Sequence, residues 1–214
     1  MAQNQDLYDA IVNGDARKAH AATESALAAG VEPMVLIQES MVPAMDEVGR
    51  LFSCEEYFVP ELLLAARAMK SALDLLKPLL SASGQRMSVR VVIGTVKGDL
   101  HDIGKNIVAS MLEGSGFEVI DLGTDVSPER FVAAVAERQP QVVCLSALLT
   151  VTMPAMKLTI DALQSAGLRT QVKVLIGGAP VSQQYASEIG ADGYSEDASG
   201  AVGLVKTLLA GRAA

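Results

Sequence analysis

The chain has few of the residues that mark several large classes of protein. Its 214 residues include no Trp, 4% aromatic residues and only two Cys, Cys54 and Cys144. These cysteines lie far apart and form no CxxC pair, so neither a disulfide framework nor a structural zinc site is expected. Cys144 lies in an apolar run, which predicts a buried, unreactive thiol. The formal charge of −8 argues against nucleic-acid binding, which needs basic patches to replace counterions.

Leader peptides, membrane spans and common nucleotide motifs are also missing from the sequence. The first residues, MAQNQDLYDA, contain neither a basic nor an apolar region typical of a signal peptide. The longest apolar stretch, around VVCLSALL, is too short to cross a bilayer. Neither GxGxxG nor GxxxxGK[ST] is present, so dinucleotide and P-loop sites are not indicated. We therefore expect a cytoplasmic protein without membrane association.

The first part of the chain has the pattern of packed helices. VEPMVLIQESMVPAMDEVGRLF and VPELLLAARAMKSALDLL repeat apolar residues at helical spacing, and Pro60 stands near the start of the second. Two shorter helices are expected at 4–12 and 15–29, with Asp15 as a cap and Gly30 at an end. The pattern predicts a four-helix bundle over residues 1–83.

After the small, polar stretch SASGQRMS the pattern changes to alternating strands and helices. Five apolar runs, beginning with RVVIGTV, alternate with five helical segments. Ser127 and Pro128 mark the start of one of these helices. This alternation predicts an open parallel sheet covered by helices, over residues 89–214. Residues 84–88 form the predicted linker, and ligands of such sheets bind beyond the carboxyl ends of the strands.

The stretch TVKGDLHDIGKN follows the first predicted strand and therefore lies at that ligand-binding edge. If the loop is extended, Asp99 and His101 project to the same side, and the carboxylate can accept a proton from one imidazole nitrogen. His101 could be a general base, a metal ligand or a loop residue without a special role. No second His or Cys cluster accompanies it, so a single ligand to a metal held by a cofactor fits best. Asp102 is expected to cap the following helix.

The ends of two later strands add elements at the same edge. The third strand ends in Ser146-Ala147-Leu148 and the fourth in Gly177-Gly178. A glycine pair is commonly a turn, but it also lets a ligand approach the backbone closely. The Asp-x-His-x-x-Gly, Ser-x-Leu and Gly-Gly elements, in this order and spacing, resemble the signature of cobalamin-binding domains.

The resemblance extends over nearly the whole chain. GDLHDIGKNIV is especially similar to methionine synthase and to the corrinoid proteins of methyltransferase systems, and EVGRLFSCEEYFVPELLLAARAMKSAL resembles their helical cap. It implies a four-helix bundle cap followed by a flavodoxin/Rossmann-like five-stranded parallel sheet domain. It also implies a cobalamin or related corrinoid, which cycles between methylcobalamin and cob(I)alamin.

The resemblance implies a role for each matching residue. His101 would be the axial ligand of cobalt in place of the cofactor's own benzimidazole (base-off, His-on). Asp99 would hydrogen-bond His101, and Thr152, where family members commonly have Ser, would extend the relay. Further residues implied to contact the corrinoid or its nucleotide tail are Gly98, Asp102, Ile103, Gly104, Gly123, Ser146, Leu148, Thr150, Gly177, Gly178, Tyr194 and Ala198.

Three residues of the cap would cover the upper face of the corrinoid. They are Phe52, Val59 and Leu62, which align with apolar residues of the family's cap. By periodicity alone all three fit an ordinary bundle core. The linker at 84–88 would serve as the hinge that moves the cap aside for methyl transfer.

The function implied is that of a corrinoid methyl carrier in one-carbon metabolism, a component that is not catalytic without partner subunits. A substrate-specific corrinoid methyltransferase would load a methyl group from an amine, methanol, betaine or aryl ether. An acceptor methyltransferase would pass it to tetrahydrofolate or a thiol, and a reductive activase would restore oxidised cobalt. No nucleic-acid or membrane partner is expected.

Three alternatives share part of the pattern. The small subunit of an adenosylcobalamin mutase has the same motif but no methyl cap, so residues 1–80 count against it. A B12-dependent sensor or regulator usually carries a DNA-binding domain, and this acidic chain has no basic N-terminal one. A non-corrinoid flavodoxin-like domain would leave His101 as a structural residue.

Overall fold

The computed structural model describes residues 4–82 and 89–210 of the chain. The chain divides into two compact units, Met1–Ser88 with Ser110–Phe117, and Val89–Ala109 with Glu118–Ala214. The linker predicted at 84–88 lies outside the described residues. No helix among those described is long and apolar enough to cross a membrane.

The first unit contains the four predicted helices. The third of them consists of three contiguous helical segments. Asp15 caps the second helix by accepting a hydrogen bond from the Lys18 N–H, as predicted, and Gly30 follows its end with a φ of +81°. The segments are α1 (Gln5–Val12), α2 (Ala16–Ala28), α3 (Pro33–Leu36), a π-helical turn (Ile37–Met41), α4 (Val42–Ser53) and α5 (Val59–Ala82).

The π-helical turn lies directly before Pro43, which the sequence pattern alone treats as part of a regular helix. Proline has no N–H, and its ring would clash with the carbonyl four residues earlier in an α-helix. The Val42 N–H instead bonds to the Ile37 carbonyl, five residues back. The wider turn therefore accommodates Pro43 without ending the helix.

The second unit is a five-stranded, wholly parallel sheet with the strand order β2-β1-β3-β4-β5. This is the flavodoxin-like order, and it confirms the predicted fold class. The elements of this part of the chain are β1 (Arg90–Thr95), α6 (Ile103–Gly114), β2 (Glu118–Asp121), α7 (Pro128–Arg138), β3 (Val142–Ser146), α8 (Pro154–Ser165), β4 (Lys173–Gly177), α9 (Gln183–Ile189), β5 (Gly193–Tyr194) and α10 (Ala198–Ala210). The last residues of α6, from Ser110, are grouped with the first unit.

The central strands are buried because their runs of Val, Ile and Leu face helices on both sides of the sheet. The Cys144 thiol is buried among them, as predicted, and burial raises its pKa to about 12. Ser127 stands at the N-cap of α7, but its side chain makes no capping bond. The polar hydroxyl of Ser127 instead lowers the pKa of the nearby Glu129 carboxyl.

The carboxyl ends of three strands are aligned by the register of the sheet. Thr95 of β1 lies opposite Ser146 of β3, which lies opposite Gly177 of β4. The loops that follow these residues therefore start from the same edge. This alignment brings residues far apart in the sequence to one site.

Candidate functional site

The loop between β1 and α6 is fixed at several points by hydrogen bonds. The Thr95 hydroxyl donates to the His101 carbonyl over 2.8 Å. The Gly98 N–H donates to the Asp125 carboxylate over 2.8 Å, and the Asp125 N–H donates to the Asp99 carbonyl over 2.9 Å. The loop that carries Asp99 and His101 is thus tied both to β1 and to the segment after β2.

Asp99 and His101 meet as their two-residue spacing predicts. One carboxylate oxygen of Asp99, Oδ1, lies 2.9 Å from His101 Nδ1 and accepts the His101 backbone N–H over 3.1 Å. An ionised carboxylate can only accept, so Nδ1 carries the proton in the neutral imidazole. The lone pair of that imidazole is therefore on Nε2.

The other carboxylate oxygen of Asp99 is held by the loop that follows β3. It accepts hydrogen bonds from the N–H groups of Leu148 (2.8 Å) and Leu149 (3.3 Å) and from the Thr152 hydroxyl (2.7 Å). Asp99 is fully buried. Burial alone would raise the pKa of Asp99, but these bonds and those from His101 lower it well below its usual range.

The imidazole of His101 stands at the surface although its partner is buried. The side chain is 52% exposed, whereas Asp99 has no exposed surface. Among the residues that the structure describes, no group of three His, Cys, Asp or Glu could hold a metal ion. His101 is thus placed to act as one protein ligand to a metal that another molecule holds.

Exposed apolar side chains surround this network, where a loop would ordinarily be polar. They are Leu100, Ile103, Leu148, Leu149 and Val151, and each adjoins or belongs to a residue of the Asp99 network or its loops. Exposed patches of this kind mark ligand or partner sites. Of these five residues, only Ile103 and Leu148 are predicted from the sequence to contact the corrinoid or its nucleotide tail.

Glycines near the strand ends differ in what surrounds them. At Gly104 and Gly123 a Cβ would meet nothing within 4 Å, so these positions border open space. At Gly178, with a φ of +128°, a Cβ would lie 1.8 Å from the Ala147 carbonyl oxygen. Gly178 is therefore required by the close approach of two loops, whereas a Cβ at Gly177 would lie at an ordinary contact distance, 3.4 Å, from the Ser195 carbonyl oxygen.

The remaining predicted residues of this unit occupy three kinds of position. Thr150 is exposed, and Tyr194 lies in β5 opposite Ile176 of β4. Ala198 is buried as the first residue of α10. The Asp102 carboxylate accepts a hydrogen bond from the Asn106 side chain, across the first turn of α6. Their contacts with a cofactor stay predictions.

The three predicted cap residues differ in exposure. Val59 is 42% exposed, Phe52 is half-buried and Leu62 is fully buried. The burial of Leu62 fits the bundle-core interpretation that periodicity favours. The role of all three toward a cofactor stays a prediction.

Sequence reasoning missed two kinds of contact at the site. The Leu148 and Leu149 N–H groups bond to Asp99, but backbone donors leave no mark in a sequence. The buried side chain of Lys105 forms an ion pair with Asp121, an exposed residue at the end of β2. The sequence shows Lys105 in the motif HDIGKN, but it does not identify Asp121 as the partner until β1 and β2 are paired in the sheet.

The chain matches known proteins over almost its full length. Residues 89–203 match the B12 binding domain, as do residues 3–77 with a second family model of the same description. It is 46% identical to the trimethylamine corrinoid protein of Methanosarcina barkeri over 215 residues, covering 98% of this chain and 99% of the relative. It is 42% identical to the dimethylamine corrinoid protein of the same organism over 208 residues, covering 96% and 97%.

A solved structure agrees with this match. The methanol:cobalamin methyltransferase complex MtaBC from Methanosarcina barkeri contains a chain with a TM-score of 0.87 and 32% identity, covering 97% of this chain and 80% of that one. The residues of the site also fit a corrinoid, because they offer one imidazole Nε2, exposed apolar side chains and open space at Gly104 and Gly123. The chain therefore belongs to the B12-binding corrinoid proteins of methyltransferase systems, with a cobalamin or related corrinoid as its cofactor.

Proposed function

We propose that the protein carries methyl groups from a methylated amine, with His101 as the protein ligand of the corrinoid in the base-off, His-on state. A substrate-specific methyltransferase loads the carrier, an acceptor methyltransferase passes the group to tetrahydrofolate or a thiol, and a reductive activase restores the oxidised carrier. The names of the trimethylamine and dimethylamine relatives support the amine. When bound, the corrinoid supplies a cobalt centre that can hold and release a methyl group.

The observation that carries the proposal is the pairing of a buried carboxylate with an exposed imidazole. Asp99 keeps its charge because five donor groups stabilise the ionised form. This charge fixes the proton on Nδ1 of His101 and leaves the lone pair of Nε2 free to bind a metal. Thr152 and the Leu148 N–H hold the carboxylate in position, so the ring has one orientation.

A spectroscopic experiment tests the ligand role. The apoprotein is reconstituted with cobalamin, and its visible spectrum is compared with those of His101→Ala and His20→Ala. His20 is an exposed residue of α2 beside Glu24 and serves as the matched control. The wild type and His20→Ala should share one spectrum, and His101→Ala should differ.

The outcomes separate two levels of the proposal. A wild-type protein that retains no corrinoid would overturn the carrier function. Identical spectra for the wild type and His101→Ala would overturn the His-on state alone.

The amine is tested with methyltransferases of known substrate. The reduced, corrinoid-loaded protein is mixed with methyltransferases for trimethylamine, dimethylamine or methanol and the matching substrate, and methylation is followed by the loss of the reduced spectrum. An amine methyltransferase should support methylation and the methanol enzyme should not. Methylation by the methanol enzyme alone would contradict the proposed donor.

A further inference from the structure

Lys105 is a buried lysine that none of the roles described above uses. It is the third residue of α6 and its side chain is 2% exposed. Its ammonium group is paired with the Asp121 carboxylate and donates to the Asn106 side chain over 2.7 Å. Asp121 lies at the end of β2, so the ion pair joins the start of α6 to the end of the neighbouring strand.

Local physical chemistry does not favour a lysine at this position. Burial of an ammonium group is costly unless the group is paired, and a positive charge at a helix N-terminus opposes the helix dipole. An apolar side chain or an acidic one would suit the position better in isolation. The tertiary contact with Asp121 is therefore what this lysine provides.

The ion pair joins the first turn of α6 to the loop after β2, and both segments border open space. The other oxygen of Asp121 accepts the Gly123 N–H over 2.8 Å, and the Gly123 carbonyl accepts the Thr95 N–H over 3.0 Å. Gly104 directly precedes Lys105. A Cβ at Gly104 or at Gly123 would meet no atom within 4 Å, so both backbones are open to a ligand. Lys105 and Asp121 thus connect the two glycines.

We propose that Lys105 is a positioning residue for the nucleotide tail of the corrinoid, because its ion pair with Asp121 fixes the Gly104 and Gly123 backbones relative to each other. This inference rests on the proposed function, in which His101 displaces the tail's base from cobalt. The displaced tail needs its own place on the protein, and two open glycine backbones can admit it closely. Lys105 acts through the start of α6 and the loop after β2, and it needs no contact with the tail.

The test compares two corrinoids that differ only in the tail. Cobalamin has the nucleotide tail, and cobinamide has the same macrocycle without it. Dissociation constants of both for the apoprotein are measured by equilibrium dialysis for the wild type and for Lys105→Met, which keeps most of the aliphatic stem. Lys157→Met is the matched control, because it removes an exposed Lys–Asp pair within α8.

The selectivity between the two corrinoids is the readout that a merely structural lysine would not change. The wild type should prefer cobalamin, and Lys105→Met should weaken cobalamin binding about tenfold. Cobinamide binding should change by less than about twofold, a difference of under about 0.4 kcal/mol. Lys157→Met should change neither constant.

Asp121→Asn provides a second variant if Lys105→Met does not unfold cooperatively. It leaves the lysine a neutral oxygen acceptor and should lower the same selectivity to a smaller extent. Equal losses for both corrinoids, or no loss for either, would overturn the role of Lys105. A wild-type protein that binds neither corrinoid would instead overturn the proposed function.

Discussion

Two aspartates of the sheet unit, Asp99 and Asp192, differ in whether positively charged side chains are among their hydrogen-bond donors. Both accept backbone N–H groups, and hydrogen bonds lower the pKa of both against the opposing effect of burial. Asp192 also pairs with Arg169 at 2.8 Å and with Lys173 at 3.2 Å. The hydrogen-bond donors to Asp99 are neutral amides, a hydroxyl and the imidazole of His101.

The difference shows which carboxylate can act on another group. The charge of Asp192 is compensated by fixed cations, so this residue serves to join β4 to the segment before β5. The charge of Asp99 is stabilised by dipoles without being neutralised, and His101 is the side chain that it orients. A negative charge held in this way increases the affinity of the imidazole for a metal.

The largest effect is expected from removing each carboxylate in turn. Asp99→Ala leaves buried donors unpaired and Asp192→Ala leaves two cations unpaired, so each should lower the free energy of unfolding by about 3 kcal/mol. Only Asp99→Ala should also weaken cobalamin binding, by about 10- to 100-fold. Urea denaturation and equilibrium dialysis measure the two quantities. Equal losses of affinity in both variants would remove the distinction.

A smaller effect is expected from the hydroxyl that supports Asp99. Thr152→Val keeps the shape but removes the 2.7 Å bond to the carboxylate, so it should cost about 1–3 kcal/mol of stability and weaken cobalamin binding. Thr152→Ser keeps the hydroxyl and should stay close to the wild type in affinity. If serine weakens binding as much as valine, the hydroxyl is not the group that matters.

The smallest effect is expected in the acid stability that Asp192 contributes. Its pKa in the folded protein is lowered from the usual value, so the unfolded state binds more protons near pH 4. This stability is fully present above about pH 4 and is lost as the pH falls through the folded pKa. Urea unfolding between pH 5 and pH 3 should show a steeper loss of the free energy of unfolding in the wild type than in Asp192→Asn. Parallel curves would show that Asp192 has an ordinary pKa.

Much of the fold could be predicted because its signals are local. The apolar run RVVIGTV and its successors mark buried strands, and Asp15 and Gly30 mark the ends of α2. The π-helical turn before Pro43 could not be predicted, because the pattern of apolar residues continues through it. The sequence also predicts Ser127 as the cap of α7, and it holds that position, but whether its hydroxyl makes the capping bond depends on the side-chain conformation.

The site could be predicted in part for the same reason. Asp99 and His101 are two residues apart, so their contact follows from the local chain direction. The ion pair of Lys105 with Asp121 depends on the pairing of β1 with β2, which the sequence does not display. The bond from Thr152 to Asp99 is also a tertiary contact, but the resemblance to cobalamin-binding domains implies it. Tertiary contacts outside that signature could therefore not be predicted.

The most direct test of the account asks which nitrogen binds cobalt. The protein is produced with ¹⁵N-labelled histidine, loaded with unlabelled cobalamin and reduced to the Co(II) state, and the nitrogen hyperfine splitting is read by electron paramagnetic resonance. His20→Ala leaves His101 as the sole labelled histidine, since the chain contains only two. If His101 is the ligand, the splitting changes from the triplet of ¹⁴N to the doublet of ¹⁵N. An unchanged triplet would show that the cofactor's own base remains on cobalt and would contradict the account.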